Sequence, residues 1–362
     1  MKHVLTIGGA TLDSIIEYRD METLVHQRQG LTQSYLLLEE GKKIEVTDLK
    51  RFSGGGSTNT AVSFKRQGYD VSVFCKLGND VLADQVLQEL QAFGIDTQYI
   101  ARSESRGTAT SFVVPSLKGD RVVFAYRGAN TTLLAKDLPE AAIEQAELIY
   151  ITSLSDQAAE HLPDIVAKAH ARKIPVAVNP GISQLKLGAS FLKSSLKHIE
   201  TLILNLEEAQ QFMESLMQSD KNLQKHADSH DPAALLETTV QFADTQFNLR
   251  QFFKVVLSMG PKTVVVTDGT KGVFIANQEH IYFHPAVKTK IVNTLGAGDA
   301  FGSSFVGALY GGEPIDNAIR CGVINSASVI CYPDAKSGLL EKSAIIEEAA
   351  KLDKKHLSIL NW

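Results

Sequence analysis

The 362-residue sequence predicts an α/β protein built on a mainly parallel sheet, and three observations carry that prediction. Short β-branched or aliphatic runs recur at residues 4–7, 71–74, 148–151, 176–178, 202–204 and 264–266. Stretches of helical spacing, residues 156–172 and 206–217 among them, lie between several of these runs, which is the alternation expected of βαβ units. Two glycine-rich turns stand directly ahead of further helical patterns. The composition, 44% hydrophobic and 21% charged, excludes a disordered or fibrous chain.

In chain order, the opening run at residues 4–7 ends at Gly8-Gly9 and predicts a strand. Two regions then break the βα rhythm. Residues 35–38 and 43–46 flank Glu39-Glu40-Gly41-Lys42, and residues 110–114 and 122–126 flank a turn at Lys118-Gly119-Asp120; both predict β-hairpins in a small accessory sheet. Residues 217–250 are polar, carry Asp231-Pro232 at a helix start, and predict a helical surface insertion. Residues 342–351 predict a closing amphipathic helix.

Charge and cysteine usage narrow the function classes. A net charge of −5 and a pI of about 6.1 leave no basic footprint for nucleic acid or an anionic membrane. Cys75, Cys321 and Cys331 form no C-x-x-C pair, so neither a disulfide framework nor a cysteine zinc site is expected, and a reducing cytoplasm fits. No apolar run approaches the roughly 18 residues of a spanning helix, and residues 1–13 show no signal pattern.

The most informative segment is Asn293-Thr294-Leu295-Gly296-Ala297-Gly298-Asp299, where a strand is expected to end near Val292 and a helix to begin near Ala297. Phe301, Phe305 and Leu309 give that helix an apolar stripe. A helix start presents amides without intrahelical partners and a partial positive charge, and Gly296 and Gly298 let an anion approach them. Asp299 in the first turn would repel a resting phosphate, yet it suits a base that takes a proton from an attacking hydroxyl. Alone, the segment reads equally as a glycine turn with a helix-dipole carboxylate. Its G-x-G-x-x-x-G spacing misses the dinucleotide fingerprint, and G-x-x-x-x-G-K-[ST], H-E-x-x-H and G-x-S-x-G do not occur. The second turn, Ser53-Gly54-Gly55-Gly56-Ser57-Thr58-Asn59, allows close backbone approach to a ligand, and the Asn59 amide suits sugar hydroxyls. It reads also as a tight loop capped by Ser57.

Together these segments resemble the ribokinase/PfkB family of carbohydrate kinases, in the family's order from Val4 to about Asp334. Gly54-Gly55-Gly56-Ser57-Thr58-Asn59 through Gly68 to Lys76-Leu77-Gly78-Asn79-Asp80 is similar to the N-terminal di-glycine signature, and Asn293 through Asp299 to the D-T-x-G-A-G-D signature, with asparagine first. The resemblance implies a single ribokinase-like three-layer domain over residues 1–362, with a small β lid from about 14–50 and 107–128. It implies Asp299 as general base and the Gly296, Ala297 and Gly298 turn as the anion hole. Asp13, Gly55, Gly56 and Asn59 would bind the sugar, and Arg127 would meet a substrate carboxylate or phosphate or else be a solvated lid charge. Asn205 and Glu208 in Asn205-Leu206-Glu207-Glu208 would serve the nucleotide phosphates and water-bound Mg²⁺, although the same residues read as a helix capping box. Thr267, Gly269 and Gly272 would form the nucleotide loop, which alone reads as a hairpin turn, and Asn325 would border the adenine.

The reaction so implied is ATP-dependent phosphorylation of a hydroxyl on a small sugar or sugar acid, with Mg²⁺. A nucleoside kinase of the same family and a non-catalytic sugar or nucleotide sensor are the alternatives. Asn293 stands where potassium-activated relatives carry aspartate, so K⁺ activation is not carried over, and Ile151-Thr152-Ser153-Leu154 lacks the glutamate that ribokinases offer ribose. In several relatives the lid also joins two subunits, and here the apolar residues 35–38 would pack against a second lid in a homodimer or else onto their own domain.

Overall fold

The computed structural model describes residues 2–17, 22–28, 31–115, 121–219, 239–242 and 245–362. The main sheet has nine strands in the order Ser358–Asn361, His280–Pro285, Gly272–Ala276, Thr263–Thr267, Thr201–Asn205, Val176–Val178, Leu148–Ile151, His3–Ile7 and Asp70–Phe74. The strands from Thr263–Thr267 to Asp70–Phe74 run parallel, and the three at the other edge are antiparallel.

Successive side chains of a strand point to opposite faces, so a sheet covered by helices on both sides needs apolar residues at every position. The inner strands meet that demand. Leu5, Ile7, Ile149, Ile151 and Val178 enter a core shared with helices Leu162–Ala171, Leu206–Ser219 and Leu249–Ser258. Val4, Leu148, Tyr150 and Ala177 enter the opposite core, shared with helices Gly56–Arg66, Val81–Ala92, Ala297–Tyr310 and Ile315–Val329.

The expected inner strands and the closing helix, Lys342–Lys351, are present. Residues 156–172 divide into a 3₁₀ turn, Asp156–His161, and a helix, Leu162–Ala171, because Pro163 in its first turn suits a fresh start. No strand ends at Val292. The strand His280–Pro285 stops earlier, and residues 286–295 cross the surface as irregular chain. The amides of Val292 and Asn293 both donate to the Ile330 carbonyl, so this segment is held by a loop rather than by a sheet ladder. The terminal strand Ser358–Asn361, which no sequence signal indicated, closes the sheet edge beside His280–Pro285.

A second sheet of four strands, Arg121–Tyr126, Thr110–Pro115, Thr11–Glu17 and Asp48–Gly54, stands apart from the main one. The hairpin around residues 110–126 pairs as expected, with Phe124 opposite Phe112, although its turn at 118–120 lies outside the described residues. The other expected hairpin is different. Leu31–Leu37 pairs backwards with Glu22–Arg28, while residues 42–46 are irregular. The Glu39-Glu40-Gly41-Lys42 turn chemistry was real, but the preceding segment offered a longer strand as partner. The expected insertion around Asp231-Pro232 lies largely outside the described residues; within it, Thr239–Phe242 pairs antiparallel with Thr245–Asn248.

Candidate active site

The parallel strands end together at Ile7, Ile151, Asn205 and Thr267, and the crevice beyond such carboxyl ends is where open α/β sheets bind ligands. Helices Gly56–Arg66 and Ala297–Tyr310 both start there. Their interface is built from small groups: Ser303 Oγ donates to Ser63 Oγ at 2.7 Å, and Gly307 leaves no room for a Cβ beside Phe64 and Gln67. This close approach lets Asn59 Nδ2 donate to Asp299 Oδ2 at 2.9 Å across 240 residues of sequence.

A cavity of about 210 Å³ opens between these helix starts and the small sheet, lined by Asp13, Gly55, Asn59, Asp299 and Asp334 among others. Ser111 Oγ donates to Asp13 Oδ1 at 2.5 Å. Burial raises the carboxyl pKa of both Asp13 and Asp299, against the hydrogen bonds from Ser111 and Asn59 and the field of Lys336. A second cavity of about 390 Å³ lies on the other side of the same turn, lined by Thr267, Gly269, Gly272, Thr294, Gly298 and Phe301 among others. Gly296, at the helix cap with φ 75°, takes the left-handed conformation that turns the chain between the two cavities. Leu295, Gly296 and Asp299 face the first, and Thr294, Ala297 and Gly298 the second.

The glycines of the two turns serve different ends. A Cβ on Gly54 would overlap the Asp13 carboxylate, one on Gly55 the Gly9 carbonyl, and one on Gly56 the Thr152 side chain. These three are small because the protein itself fills the space, and Gly55 adds a φ of 91°. A Cβ on Gly298 would meet nothing within 4 Å, so the space beside it is open to the larger cavity.

The nucleotide-loop residues Thr267, Gly269 and Gly272 line the larger cavity, on a 3₁₀ turn, Gly269–Lys271, between two antiparallel strands. The hairpin reading holds, and the turn it describes lines this cavity. Asn205 pairs in register with Thr267 and so stands at the same sheet edge. Asn205 and Glu208 form a reciprocal capping box, each side chain accepting from the other's amide at 2.8 and 2.9 Å. Burial raises the Glu208 carboxyl pKa. Among the described residues no group of three or more His, Cys, Asp or Glu is placed to cage a metal. One carboxylate beside one amide fits a cation that keeps most of its own water and arrives with phosphates.

Two residues expected in the site sit elsewhere. Asn325 is fully buried, donates to Ser304 Oγ at 2.7 Å and accepts from the Leu340 amide at 2.8 Å. Its neighbours Val323, Ser326 and Ala327 line the nucleotide cavity instead, because the helix turns Asn325 to the opposite face. Arg127 is exposed, donates to Ser155 Oγ at 3.0 Å, and does not line the acceptor cavity.

Sequence reasoning missed three residues. Asn130 pins the turn at the end of the first strand by exchanging two 3.0 Å hydrogen bonds with the backbone of Ala10. Lys336 is buried, donates to the Ser53 carbonyl at 2.8 Å and to Ser53 Oγ, and pairs with Glu89 at 3.3 Å, tying three separate segments beneath the glycine turn. Asp334 joins the cavity wall from the same loop. Asn130 lies on a short 3₁₀ turn, Gly128–Thr132, and Asp334 and Lys336 on a loop, so no periodic signal marked them.

Residues 28–342 match the description "pfkB family carbohydrate kinase". A ribokinase of Bacillus subtilis is 23% identical over 348 residues, 96% of this chain and 99% of its own length. The structure of Arabidopsis thaliana ribokinase complexed with ribose and ATP superposes with a TM-score of 0.72 at 16% identity, covering 97% of this chain and 99% of that one. An Escherichia coli candidate ribokinase II in complex with ATP and Mg²⁺ gives 0.73 at 15% identity, over 97% of this chain and 100% of that one. With the two signature turns flanking adjoining cavities and the match running through most of the sequence, the chain belongs to the pfkB family of carbohydrate kinases, phosphotransferases that act on an alcohol group.

Proposed function

We propose that this kinase transfers the γ-phosphoryl group of ATP to a hydroxyl of a small sugar or sugar acid. One observation carries the reading: a single turn, residues 294–299, walls two cavities, with the Asp299 carboxyl group on one side and the open face of Gly298 on the other. A donor phosphate in the larger cavity and an alcohol in the smaller would meet across that turn.

In this reading Asp299 accepts the proton of the attacking hydroxyl, and Asn59 holds the carboxylate in orientation through its hydrogen bond. The helix-start amides around Gly296, Ala297 and Gly298 stabilise the charge that spreads over the transferring group. Asp13, fixed by Ser111, accepts hydrogen bonds from other hydroxyls of the acceptor. Thr267, Gly269 and Gly272 receive the nucleotide. Asn205 and Glu208 would hold water-bound Mg²⁺, which supplies charge neutralisation on the phosphates. The side chain of Asn293 donates through Nδ2 to the Pro333 carbonyl at 2.8 Å and joins two loops directly, which supports catalysis without K⁺. The small sheet acts as a lid, with Ile15 and Phe52 already on the cavity wall. Its exposed Phe112, Phe124 and Tyr126 support pairing of two lids in a homodimer. Three free cysteines, with the buried Cys75 thiol pushed up to about 12, suit the cytoplasm.

Acceptor-dependent ADP release is the test, run with Mg·ATP over pentoses, hexoses, keto-deoxy acids and nucleosides. Turnover with a sugar or sugar acid is expected. A preference for nucleosides would move the enzyme to that branch, and binding without ADP formation across the panel would establish a sensor.

A further inference from the structure

The acceptor cavity has one-sided chemistry. The charged side chains lining it are Asp13, Asp299 and Asp334, and no Lys, Arg or His is on its wall among the described residues. The basic groups nearby make their hydrogen bonds elsewhere, although the field of Lys336 reaches Asp13 and Asp299. Lys336 donates to Ser53 and pairs with Glu89, Arg127 donates to Ser155, and Arg121 donates to Thr294 on the nucleotide side of the turn.

Two residues of this wall each carry a buried oxygen without a hydrogen-bond partner. Asp334 is 5% exposed; its Oδ1 accepts from the amides of Lys336 and Ser337, each at 2.8 Å, while Oδ2 is buried and unpartnered. Asn59 is 6% exposed; its Nδ2 is given to Asp299, and Oδ1 is likewise buried and unpartnered. Buried polar atoms in native proteins nearly always find a partner, and two orphaned acceptors on one cavity wall call for donors brought by the ligand. A ligand bearing a carboxylate or phosphate would instead meet three carboxyl groups and, among the described residues, no basic side chain on the wall, an arrangement that disfavours it.

Resting on the kinase reading above, we infer that the acceptor is an uncharged molecule rich in hydroxyl groups, that Asp334 is a specificity-determining residue taking a hydrogen bond from one of those hydroxyls, and that sugar acids and sugar phosphates are refused. Asp13 and Asp334 enter the cavity from different segments and so read different hydroxyls, which makes the pocket selective among neutral acceptors as well.

The test measures ADP release with each neutral pentose, hexose and nucleoside beside its carboxylate and phosphate counterparts. The best neutral acceptor should exceed its charged counterparts in kcat/KM by about 100-fold or more. Asp334→Asn, which keeps the shape of the side chain, should raise KM for that acceptor about tenfold or more with a smaller change in kcat, and should narrow the gap to the charged compounds. Equal or better turnover of a charged acceptor overturns the inference while leaving the kinase reading intact, and an unchanged KM in Asp334→Asn removes the role of Asp334. No acceptor-dependent ADP release from any compound overturns the kinase reading and this inference with it. If the variant does not fold, thermal protection of the wild-type protein decides: protection by neutral acceptors alone supports the inference, and equal protection by charged ones overturns it.

Discussion

As the proposed base, Asp299 meets two opposed demands. That role needs an ionised carboxyl, yet the packing that positions it favours the neutral form and raises its pKa. The hydrogen bond from Asn59 and the field of Lys336 work against that rise. Asp299→Asn should lower turnover about 10²–10⁴-fold, measured as acceptor-dependent ADP release, while ATP still binds. The stability effect has the opposite sign. A carboxyl whose folded pKa is raised contributes stability that is full below its unfolded value and is lost as pH rises through the folded value. Ionisation of the buried Asp299 carboxyl therefore weakens the fold, so the melting temperature of Asp299→Asn relative to wild type should rise as pH rises through the folded pKa of that carboxyl. A variant less stable at pH 7 and equally so at acid pH would show that the carboxylate is a net structural support. The aspartate and its neighbouring asparagine were both legible in their motifs, because glycine turns before helices are local features. Their mutual hydrogen bond was not.

At the scale of elements, the two glycine turns look alike in sequence and differ in what surrounds them. Gly55→Ala brings a Cβ against the Gly9 carbonyl at a φ of 91°, and should destabilise the protein by at least about 1–3 kcal/mol in chemical denaturation. Gly298→Ala has open space around its Cβ within a helix, and should leave stability unchanged or raised by up to about 1 kcal/mol. The same methyl group would crowd a phosphate at the turn, so the KM for ATP should rise about tenfold or more. Equal effects of both variants on melting and on kinetics would dissolve this distinction. Hairpin residues 110–126 were readable from alternation and turn chemistry, whereas the pairing of Glu22–Arg28 with Leu31–Leu37 was not. Short apolar alternation names a strand but leaves its partner open. The Asn205 and Glu208 capping box illustrates the converse: the local reading was correct, and a role in the site depends on its place beside Thr267.

At the scale of the whole molecule, the sheet brings its strand ends to one edge, the two helix starts complete the crevice, and the small sheet stands over it. The Asn293 amide already bridges to Pro333 where charge would otherwise be wanted, so replacing K⁺ by Na⁺ or a large organic cation should change kcat/KM by less than about twofold. A tenfold requirement for K⁺ would contradict that reading. The exposed aromatic groups Phe112, Phe124 and Tyr126 of the lid should hold two chains together. Sedimentation across a range of concentrations should give a dimer, and Phe112→Ser with Phe124→Ser should return it to monomer; a wild-type monomer at every concentration removes the proposal.

The inner parallel strands with the helices between them, the turn that carries Asp299 and the family were legible in the sequence itself, because side-chain periodicity and glycine spacing act over a few residues. Only the tertiary structure decided that Asn325 faces the core, that Lys336 ties the floor beneath the glycine turn, and that Asp334 and Asn59 leave unpartnered oxygens on one cavity wall. Those outcomes depend on which distant segments are packed together, and contacts such as Lys336 with Ser53, 283 residues apart, have no local signature for a single sequence to display.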